Sequence, residues 1–395
     1  MKSKVKVPVA FQIRIDDVAW HNGADERHIG RPSRTGMPRK HVIEDYPILN
    51  EIGKAINQKI QCSIVLGEWD RENILRGHNE FTWCPDTWDR KSEMDMEYHE
   101  RAFEALENSE YIAYTCHGVM HGHYDRGRQV MEREFYNLTY NPDTDTYDVP
   151  YVWHTEDMLR KHLDYFFKLY DMWGFKKGVP SFACGNGNIG SEYDEGNLRY
   201  AEIFKEYGFK YWENGWGEMT GDTSSAVIGG VVAMAARGRG NIPWNAFDMD
   251  PDFLPLFNTE DDYRTDYCIH WPNLLRWNPE NNMEYLPKWI NYFNRQAEVF
   301  GTMIARDIEF AASQAVYNKH TKITYGHQND IKIFLNEVDM QNAIALKDEF
   351  YISFKNELVP DRCIGGEIEL YEEKKEFKTY KINRGKNKKV EIFFK

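Results

Sequence analysis

Residues Tyr111 to Asp125 read YIAYTCHGVMHGHYD and contain the pattern that decides the fold and the candidate site. The first half consists of β-branched, aromatic and small residues, which is typical of a buried strand. The second half places His117, His121 and His123 just after the end of that strand. Imidazole is the usual nitrogen ligand of zinc, and a four-residue interval brings two histidines to one side of a turn. His117 and His121 are therefore predicted metal ligands, and a third ligand has to come from elsewhere in the fold.

A candidate for that third ligand lies near the start of the chain. Residues 8–15, PVAFQIRI, form a strand-like run, and Asp16 and Asp17 follow it directly. Adjacent residues of a strand point to opposite sides, so the two carboxylates can take different roles. One can bind a metal ion while the other accepts a proton. The alternative is a pair that caps a helix, because carboxylates often follow strands in βα loops.

An Asp-Asp pair that ends the first strand, followed by H-x-x-x-H that ends the third, resembles the polysaccharide deacetylase family, also called the NodB-homology family. The resemblance covers roughly residues 8–315. It implies that Asp17, His117 and His121 bind a divalent metal ion, with zinc as the expected ion. It also implies that Asp16 is the general base.

Further site residues follow from the same resemblance. His270 ends the strand-like run DYCIH, where the family has a histidine that serves as general acid; a histidine hydrogen-bonded beside Trp271 is the alternative. The run VPSFAC leads into a glycine-rich turn whose backbone N–H groups would stabilise an oxyanion. The residues predicted to contact the substrate or the oxyanion are Ala183, Cys184, Gly185, Asn186, His123 and Trp212. For His123, metal ligation and support of a ligand are alternatives.

A competing interpretation comes from the same turn. Residues 185–190, GNGNIG, match G-x-G-x-x-G between a strand and a helix, and Glu213 ends the next strand, as in dinucleotide-binding folds. Glu192, Asp194 and Glu195 crowd the start of the helix, where they would repel a pyrophosphate. This acidic cluster argues against a nucleotide site.

The chain departs from the family at the strand that ends in Cys184. Family members have Arg followed by Pro there, with the Arg held against the catalytic Asp, and this chain has none. Another arginine would have to orient Asp16, and the candidates are Arg14, Arg126 and Arg128. This departure does not change the predicted metal ligands, but it bears on which substrate the protein would accept.

Helical and strand-like segments alternate through most of the chain, which indicates a mainly parallel α/β sheet. The resemblance implies a distorted (β/α) barrel over residues 1–318, with loop insertions near 20–40, 68–95 and 124–153. Residues Ala297 to Asn318 are predicted as one long helix. Five short alternating runs then predict a small all-β, sandwich-like domain over residues 319–395, whose role the sequence leaves open.

The composition limits the classes of binding partner and the cellular compartment that are expected for this protein. The 395 residues include 49 Lys and Arg against 63 Asp and Glu, giving a net charge of −14, which disfavours nucleic acid and anionic membranes. We find no signal peptide and no apolar run long enough for a membrane span. Six cysteines without a C-x-x-C pair are typical of free thiols in a reducing compartment, so a cytoplasmic location is expected.

The sequence therefore predicts a metal-dependent hydrolase that removes an N- or O-acetyl group from a sugar or glycoconjugate. Two alternatives stay open: an amidohydrolase acting on a non-sugar C–N bond, and a non-catalytic carbohydrate-binding protein with a degenerate site. A carbohydrate or acylated small molecule is the expected partner, and the oligomeric state is open. Tryptophans near strand ends are either platforms for sugar rings or core packing; they are Trp69, Trp83, Trp88, Trp212, Trp216, Trp244 and Trp271.

Overall fold

The computed structural model describes residues 4–135, 138–148, 155–184, 195–214, 226–237, 246–256, 265–299, 302–327 and 329–395. Its α-helices over these ranges are α1 Pro47–Ile56, α2 Arg90–Glu93, α3 Met96–Glu107, α4 Glu156–Trp173, α5 Glu195–Glu206, α6 Leu286–Val299, α7 Ile308–His320 and α8 Asn336–Met340. Short 3-10 helices span Arg27–Ile29, Ile43–Asp45, Gly67–Trp69, Pro85–Thr87, Pro251–Phe253, Trp271–Leu274 and Pro279–Tyr285.

The strands described are, in chain order, β1 Val5–Lys6, β2 Ala10–Val18, β3 Ile60–Ile64, β4 Ile112–Cys116, β5 His123–Asp125, β6 Arg128–Met131, β7 Thr139–Asn141, β8 Thr146–Asp148, β9 Ser181–Ala183, β10 Tyr211–Asn214, β11 Ala226–Ile228, β12 Val231–Arg237, β13 Asp266–His270, β14 Met303–Ile304, β15 Lys322–Tyr325, β16 Asp330–Phe334, β17 Glu349–Lys355, β18 Pro360–Ile364, β19 Glu367–Glu373, β20 Phe377–Asn383 and β21 Lys389–Phe394.

The central sheet is mainly parallel, as the alternation of helices and strands predicts. Its strand order is β10-β9-β4-β3-β2-β13-β12-β11, with β14 added beside β2 and a further parallel pairing of β10 with β12. Among the described strands of this sheet, only β11 runs antiparallel to its neighbour. Parallel strands end at the same edge, so the residues that follow β2, β4, β9 and β13 are brought together there. This edge carries the candidate site.

Helix α1 shows how the outer layer packs. Its sequence, PILNEIGKAI, begins with Pro47 at a position where no backbone donor is needed, and it ends before Asn57 in the left-handed conformation. Ile48, Leu49 and Ile52 lie at helical spacing and are buried in the main core. Burial of each such side chain contributes roughly 1.5–3 kcal/mol, so the apolar stripe fixes the helix against the sheet.

The prediction of one helix over Ala297 to Asn318 is wrong. Within the described residues, α6 ends at Val299, and α7 begins at Ile308 after an N-cap in which Asp307 accepts from the Phe310 N–H. The strand β14 lies between the two helices and pairs with Ala10 and Phe11 of β2. Tertiary pairing with the sheet therefore overrides the local helical pattern.

The C-terminal residues form two antiparallel four-stranded sheets, with the orders β1-β17-β20-β19 and β15-β16-β21-β18. The first includes β1 from the start of the chain, where Val5 pairs with Phe354. The short helix α8 follows β16, so the region is not purely β. A second core joins both sheets to α7, with Ile331, Phe350 and Ile392 fully buried.

The predicted insertions are ordered where the structure describes them. Residues 20–40 have little regular structure apart from one 3-10 turn, and the described residues of the third insertion include the hairpins β5–β6 and β7–β8. All six cysteines are free thiols. Among the described helices, none combines the length and apolarity that a bilayer crossing requires.

Candidate metal centre and active site

The carboxyl edge of the central sheet gathers Asp17, His117 and His121. Each offers one potential ligand atom, and these atoms lie within 4.8 Å of one another. Asp17 Oδ1 is 3.7 Å from Nε2 of His117 and 3.7 Å from Nε2 of His121. All three side chains are buried. Two imidazole nitrogens and one carboxylate oxygen converging on one point are a donor set typical of zinc and similar divalent ions.

The orientation of His117 suits a ligand role. The carbonyl of Ala183 accepts a hydrogen bond of 2.8 Å from Nδ1 of His117, so Nε2 keeps its lone pair and faces Asp17. Burial lowers the pKa of His117 to about 4, so its imidazole is neutral at pH 7. Neutral imidazole with its second nitrogen hydrogen-bonded is the form that binds metal ions.

The backbone at this site adopts conformations that side chains seldom take. Asp17 has φ 65° and His121 has φ 50°, both in the left-handed region. Such conformations cost of order 1–3 kcal/mol each and persist only where the surroundings hold them. The strain falls on two of the three residues whose ligand atoms converge.

Glu134 holds the loop that carries the two histidines. Its carboxylate accepts from the backbone N–H groups of Val119 and Met120 at 2.7 and 3.0 Å. Nδ1 of His162, on α4, donates to the same carboxylate at 2.8 Å. Gly118 has φ 95°, and a Cβ there would lie 2.4 Å from the carboxylate of Glu134. The H-x-x-x-H loop therefore needs glycine at this point and a buried acceptor beneath it.

The environment of the Asp17 carboxylate also fits the binding of a divalent ion. Oδ1 of Asp17 is buried and accepts no hydrogen bond from any described residue. A buried carboxylate oxygen without a donor is costly unless a cation satisfies it. The neutral imidazole of His117 beside it cannot supply that charge.

Asp16 lies beside the triad in a different environment. Arg14, two residues earlier on β2, approaches it with Nε 2.9 Å from Oδ1 and Nη2 3.2 Å from Oδ2. The Cys268 thiol donates to Oδ2 at 3.0 Å. Burial by itself would raise the pKa of Asp16, but Arg14, with smaller contributions from His117, His270 and Cys268, holds it well below its usual range. Asp16 is therefore an oriented, ionised carboxylate.

Arg14 thus occupies the role for which the sequence offered three candidates. Its side chain is fully buried, whereas Arg126 and Arg128 lie half exposed in the β5–β6 region. Residues two apart on a strand share a face, which explains why Arg14 reaches Asp16 from the same strand. The resemblance implied an arginine on the strand that ends in Cys184, whereas the contact here is made within β2.

Glu213, at the end of β10, is buried near the same arginine. Thr115 donates to its Oε1 at 2.6 Å. Burial raises the pKa of Glu213 above its ordinary value, although Arg14 and the hydrogen bonds from Thr115 and Ser181 oppose this. Two buried carboxyl groups therefore lie near Arg14. Asp16 is strongly acidic, whereas Glu213 holds its proton more tightly than an ordinary glutamate.

His270 approaches the triad from β13. Its Nε2 is 3.9 Å from Oδ2 of Asp17, on the carboxylate oxygen opposite the one that faces His117 and His121. Oδ1 of Asn273 accepts from the His270 N–H at 2.8 Å, and β13 pairs His270 with Asp16. The predicted acid, base and ligands thus lie at one edge of the sheet.

The remaining predicted contacts lie in several environments. The carbonyl of Ala183 faces His117, and Cys184 is buried, which raises the pKa of its thiol to about 12. His123 is half-buried next to His162, and burial lowers its pKa to about 4. Gly185 and Asn186 lie outside the described residues.

The tryptophans mostly pack in the core. Trp69, Trp88, Trp212 and Trp271 are 0–1% exposed. Trp212 lies edge-on to Phe204 at 5.0 Å between ring centroids, so its indole packs in the core. Large aromatic side chains at strand ends bury most of their area when helices cover the sheet. Trp83 is half-buried, and Trp216 and Trp244 lie outside the described residues.

The loop of residues 20–40 is fixed beside the site by a buried ion pair. Nη2 of Arg34 lies 2.7 Å from Oε1 of Glu68, and the His21 N–H donates to Oε2 at 3.2 Å. Burial would raise the pKa of Glu68, but Arg34 and Arg90 lower it from 4.5 to about 2. The carboxylate therefore favours the folded state only while it is ionised.

We expect Glu68→Gln to destabilise the protein in a pH-dependent way. A carboxyl whose folded pKa is depressed contributes stability above its unfolded pKa of 4.5 and loses it as the pH falls through about 2. The difference in unfolding free energy from the parent should be about 3 kcal/mol at pH 7 and shrink steadily below pH 4.5. Urea unfolding at pH 7, 4 and 3 measures it. The exposed Glu72→Gln is the matched control, and an equal, pH-independent loss in both variants would contradict the role.

Glu134 and His162 were not found by reasoning from the sequence. Glu134 lies in an insertion that reads as polar and turn-rich, and His162 is one apolar-face position of a helix. The glycine of H-G-x-x-H was the one available signal, because a left-handed glycine in a ligand loop indicates close approach of another group.

Comparison with known proteins gives matches among solved structures only. No family model matches the chain, and no curated protein matches it. Two of the solved structures are of the family that the sequence resembles. A CE4 family pseudoenzyme from Bacillus anthracis matches at 12% identity and a TM-score of 0.35, over 76% of this chain and 64% of that one. A protein from Mycobacterium smegmatis, provisionally named a polysaccharide deacetylase, matches at 11% identity and a TM-score of 0.39, over 80% and 93%.

The chain is similar to solved polysaccharide deacetylase structures. A further match, at 11% identity and a TM-score of 0.36 over 95% of this chain and 99% of the other, is a Bacillus halodurans protein provisionally named an α-N-acetylgalactosaminidase. The chain spans less than two thirds of the Bacillus anthracis protein.

Proposed function

We propose that this protein is a metal-dependent hydrolase that removes an N- or O-acetyl group from a sugar or glycoconjugate. The observation that carries the proposal is the convergence of Asp17, His117 and His121, whose ligand atoms lie within 4.8 Å of one another. Asp16 and His270 flank this group on two sides. An acid, a base and a set of metal ligands are the components that acyl transfer to water requires.

The residues divide the reaction between them. A divalent cation, with zinc expected, would supply a Lewis acid that activates water at neutral pH. Asp16 accepts the proton of the attacking water, in the orientation that Arg14 imposes. His270 donates a proton to the departing amine or alcohol. Backbone N–H groups after Ala183 contribute hydrogen bonds to the oxyanion.

The closure of the central sheet and the division into domains are part of the same proposal. We infer a distorted (β/α) barrel, and the parallel pairing of β10 with β12 supports it, because that pairing joins the first strand of the sheet order to the next-to-last one. We also infer a boundary between a barrel domain of residues 1–318 and a small β domain of residues 319–395. The antiparallel pairing of the C-terminal strands supports this division.

The two alternatives make different demands on the site. A degenerate binding protein was favoured by the missing arginine, and the contact of Arg14 with Asp16 removes that reason. An amidohydrolase acting on non-sugar amides would use the same acid, base and ligands. The substrate is therefore the point that an assay has to decide.

The test is acetate release by the purified, zinc-supplemented full chain. We expect metal-dependent acetate release from N- or O-acetylated sugars, and no hydrolysis of small cyclic amides. Hydrolysis of the cyclic amides alone would favour the amidohydrolase. Saturable sugar binding without turnover, whatever metal is supplied, would favour the binding protein.

A further inference from the structure

A second cavity lies at the opposite end of the central sheet from the metal centre. It has a volume of about 630 Å³ and is lined by residues at the amino-terminal ends of β3, β4, β9 and β10 and by the start of α7. Its apolar wall includes Ile112, Ala113, Pro180 and Ile308. Cavities of about 300–1,000 Å³ with an apolar wall and a few polar groups are typical of small-molecule sites.

Gln61 supplies an unsatisfied amide to this cavity. The side chain lines the cavity and is fully buried, yet neither its Oε1 nor its Nε2 hydrogen-bonds to any described residue. Leaving a buried donor and acceptor unpaired costs about 1–3 kcal/mol for each group. An amide with both atoms unpaired is complementary to another amide, which presents one acceptor and one donor.

Some of the charged groups around the cavity already form ion pairs or hydrogen bonds within the protein. Glu107 accepts from the Lys176 and Lys177 N–H groups at 2.9 and 3.2 Å, and Glu309 pairs with Lys347 at 2.9 Å. Nζ of Lys177 donates to three backbone carbonyls. These groups are held by the fold.

Two exposed lysines of the cavity are available for a ligand. Lys59 and Lys210 line it, and neither ammonium group has a salt bridge or hydrogen bond to any residue within the described ranges. Tyr211 lies between β9 and β12, and its hydroxyl likewise makes no hydrogen bond within those ranges. Besides the exposed side chains of Asn108 and Glu110, the groups left unpaired among the described lining residues are therefore two cations, one phenol and one buried amide.

We propose that this cavity binds a small organic acid that also carries an amide group. The carboxylate pairs with Lys59 and Lys210, and the amide hydrogen-bonds to Gln61. The apolar wall covers the short carbon chain that joins the two ends. The site is separate from the metal centre, and the proposal does not depend on the proposed hydrolase activity.

The test uses N-acetylglycine as the probe, titrated into the full chain and followed by calorimetry. Acetate carries the anion without the amide, and acetamide carries the amide without the anion. We expect N-acetylglycine to bind saturably and more tightly than either fragment, because it satisfies both ends of the site. Failure to saturate, or equal affinity for N-acetylglycine and acetate, would overturn the proposal.

Variants of the chain sharpen the test. Gln61→Met keeps the size of the side chain but removes its hydrogen bonds, and Lys59→Ala/Lys210→Ala removes the two cations. Each should weaken N-acetylglycine binding by about tenfold or more. The matched control is Lys375→Ala/Lys388→Ala, two exposed lysines away from the cavity, which should leave the affinity unchanged. Gln61→Met is expected to fold because it removes a buried polar group that has no hydrogen-bond partner. Undiminished binding in this variant would show adventitious binding and reject the site.

Discussion

Replacing Arg14 by methionine should lower the free energy of unfolding by about 3–5 kcal/mol, because it leaves Asp16 as a buried charge without its cation. Both side chains are almost completely buried. Methionine replaces the unbranched stem of arginine without its guanidinium, so the loss arises mainly from the removed charge. The Asp16 carboxyl is then expected to take up a proton, since burial without Arg14 raises its pKa.

A double variant separates this effect from general damage. Adding Asp16→Asn to Arg14→Met removes the uncompensated charge, so it should recover part of the lost stability in urea unfolding. The exposed Arg101→Met serves as the control and should change stability by about 0.5 kcal/mol or less. A loss below about 1 kcal/mol for Arg14→Met would contradict the assignment of Arg14 as the partner that orients Asp16.

The second large effect concerns catalysis. Asp16→Asn should lower kcat for acetate release by about 10²–10⁴-fold, because the amide keeps the shape of the carboxylate but cannot accept the proton. The metal content should stay at the parental level, since Asp16 contacts Arg14 and Cys268. Steady-state kinetics beside elemental analysis measure both quantities.

The adjacent residue gives a matched comparison. Asp17→Asn is the same chemical change one position along the chain, but Asp17 faces both imidazoles. It should lose the metal ion and activity together. Retention of kcat within about tenfold in Asp16→Asn would remove that residue from the role of base.

Much of this candidate site could be predicted from the sequence because its candidate ligands follow strands. Asp17, His117 and His121 are placed by the rule that parallel strands end at one edge, and their spacing identifies the ligand type. The contact of Arg14 with Asp16 follows from strand alternation, yet the sequence could not choose Arg14 over Arg126 and Arg128. That choice depends on burial, which is set by the packed sheet.

Other features depend on partners distant in sequence. The break between α6 and α7 is caused by the pairing of β14 with β2. These two strands of the sheet are far apart along the chain. Among the C-terminal strands, β18 and β20 lie outside the five predicted runs, although β18 pairs with β21 and β20 pairs with both β17 and β19. The burial of Trp212 depends on packing with α5. Local patterns do not report such tertiary contacts.

The most direct test of the account is the metal content of the purified protein, measured by elemental analysis for the parent and for Asp17→Asn, His117→Ala and Asp16→Asn. We predict about one equivalent of a divalent metal ion in the parent and in Asp16→Asn, and loss of that ion in Asp17→Asn and His117→Ala. No bound metal in the parent after supplementation, or equal content in all four proteins, would contradict the metal centre on which the proposed function rests.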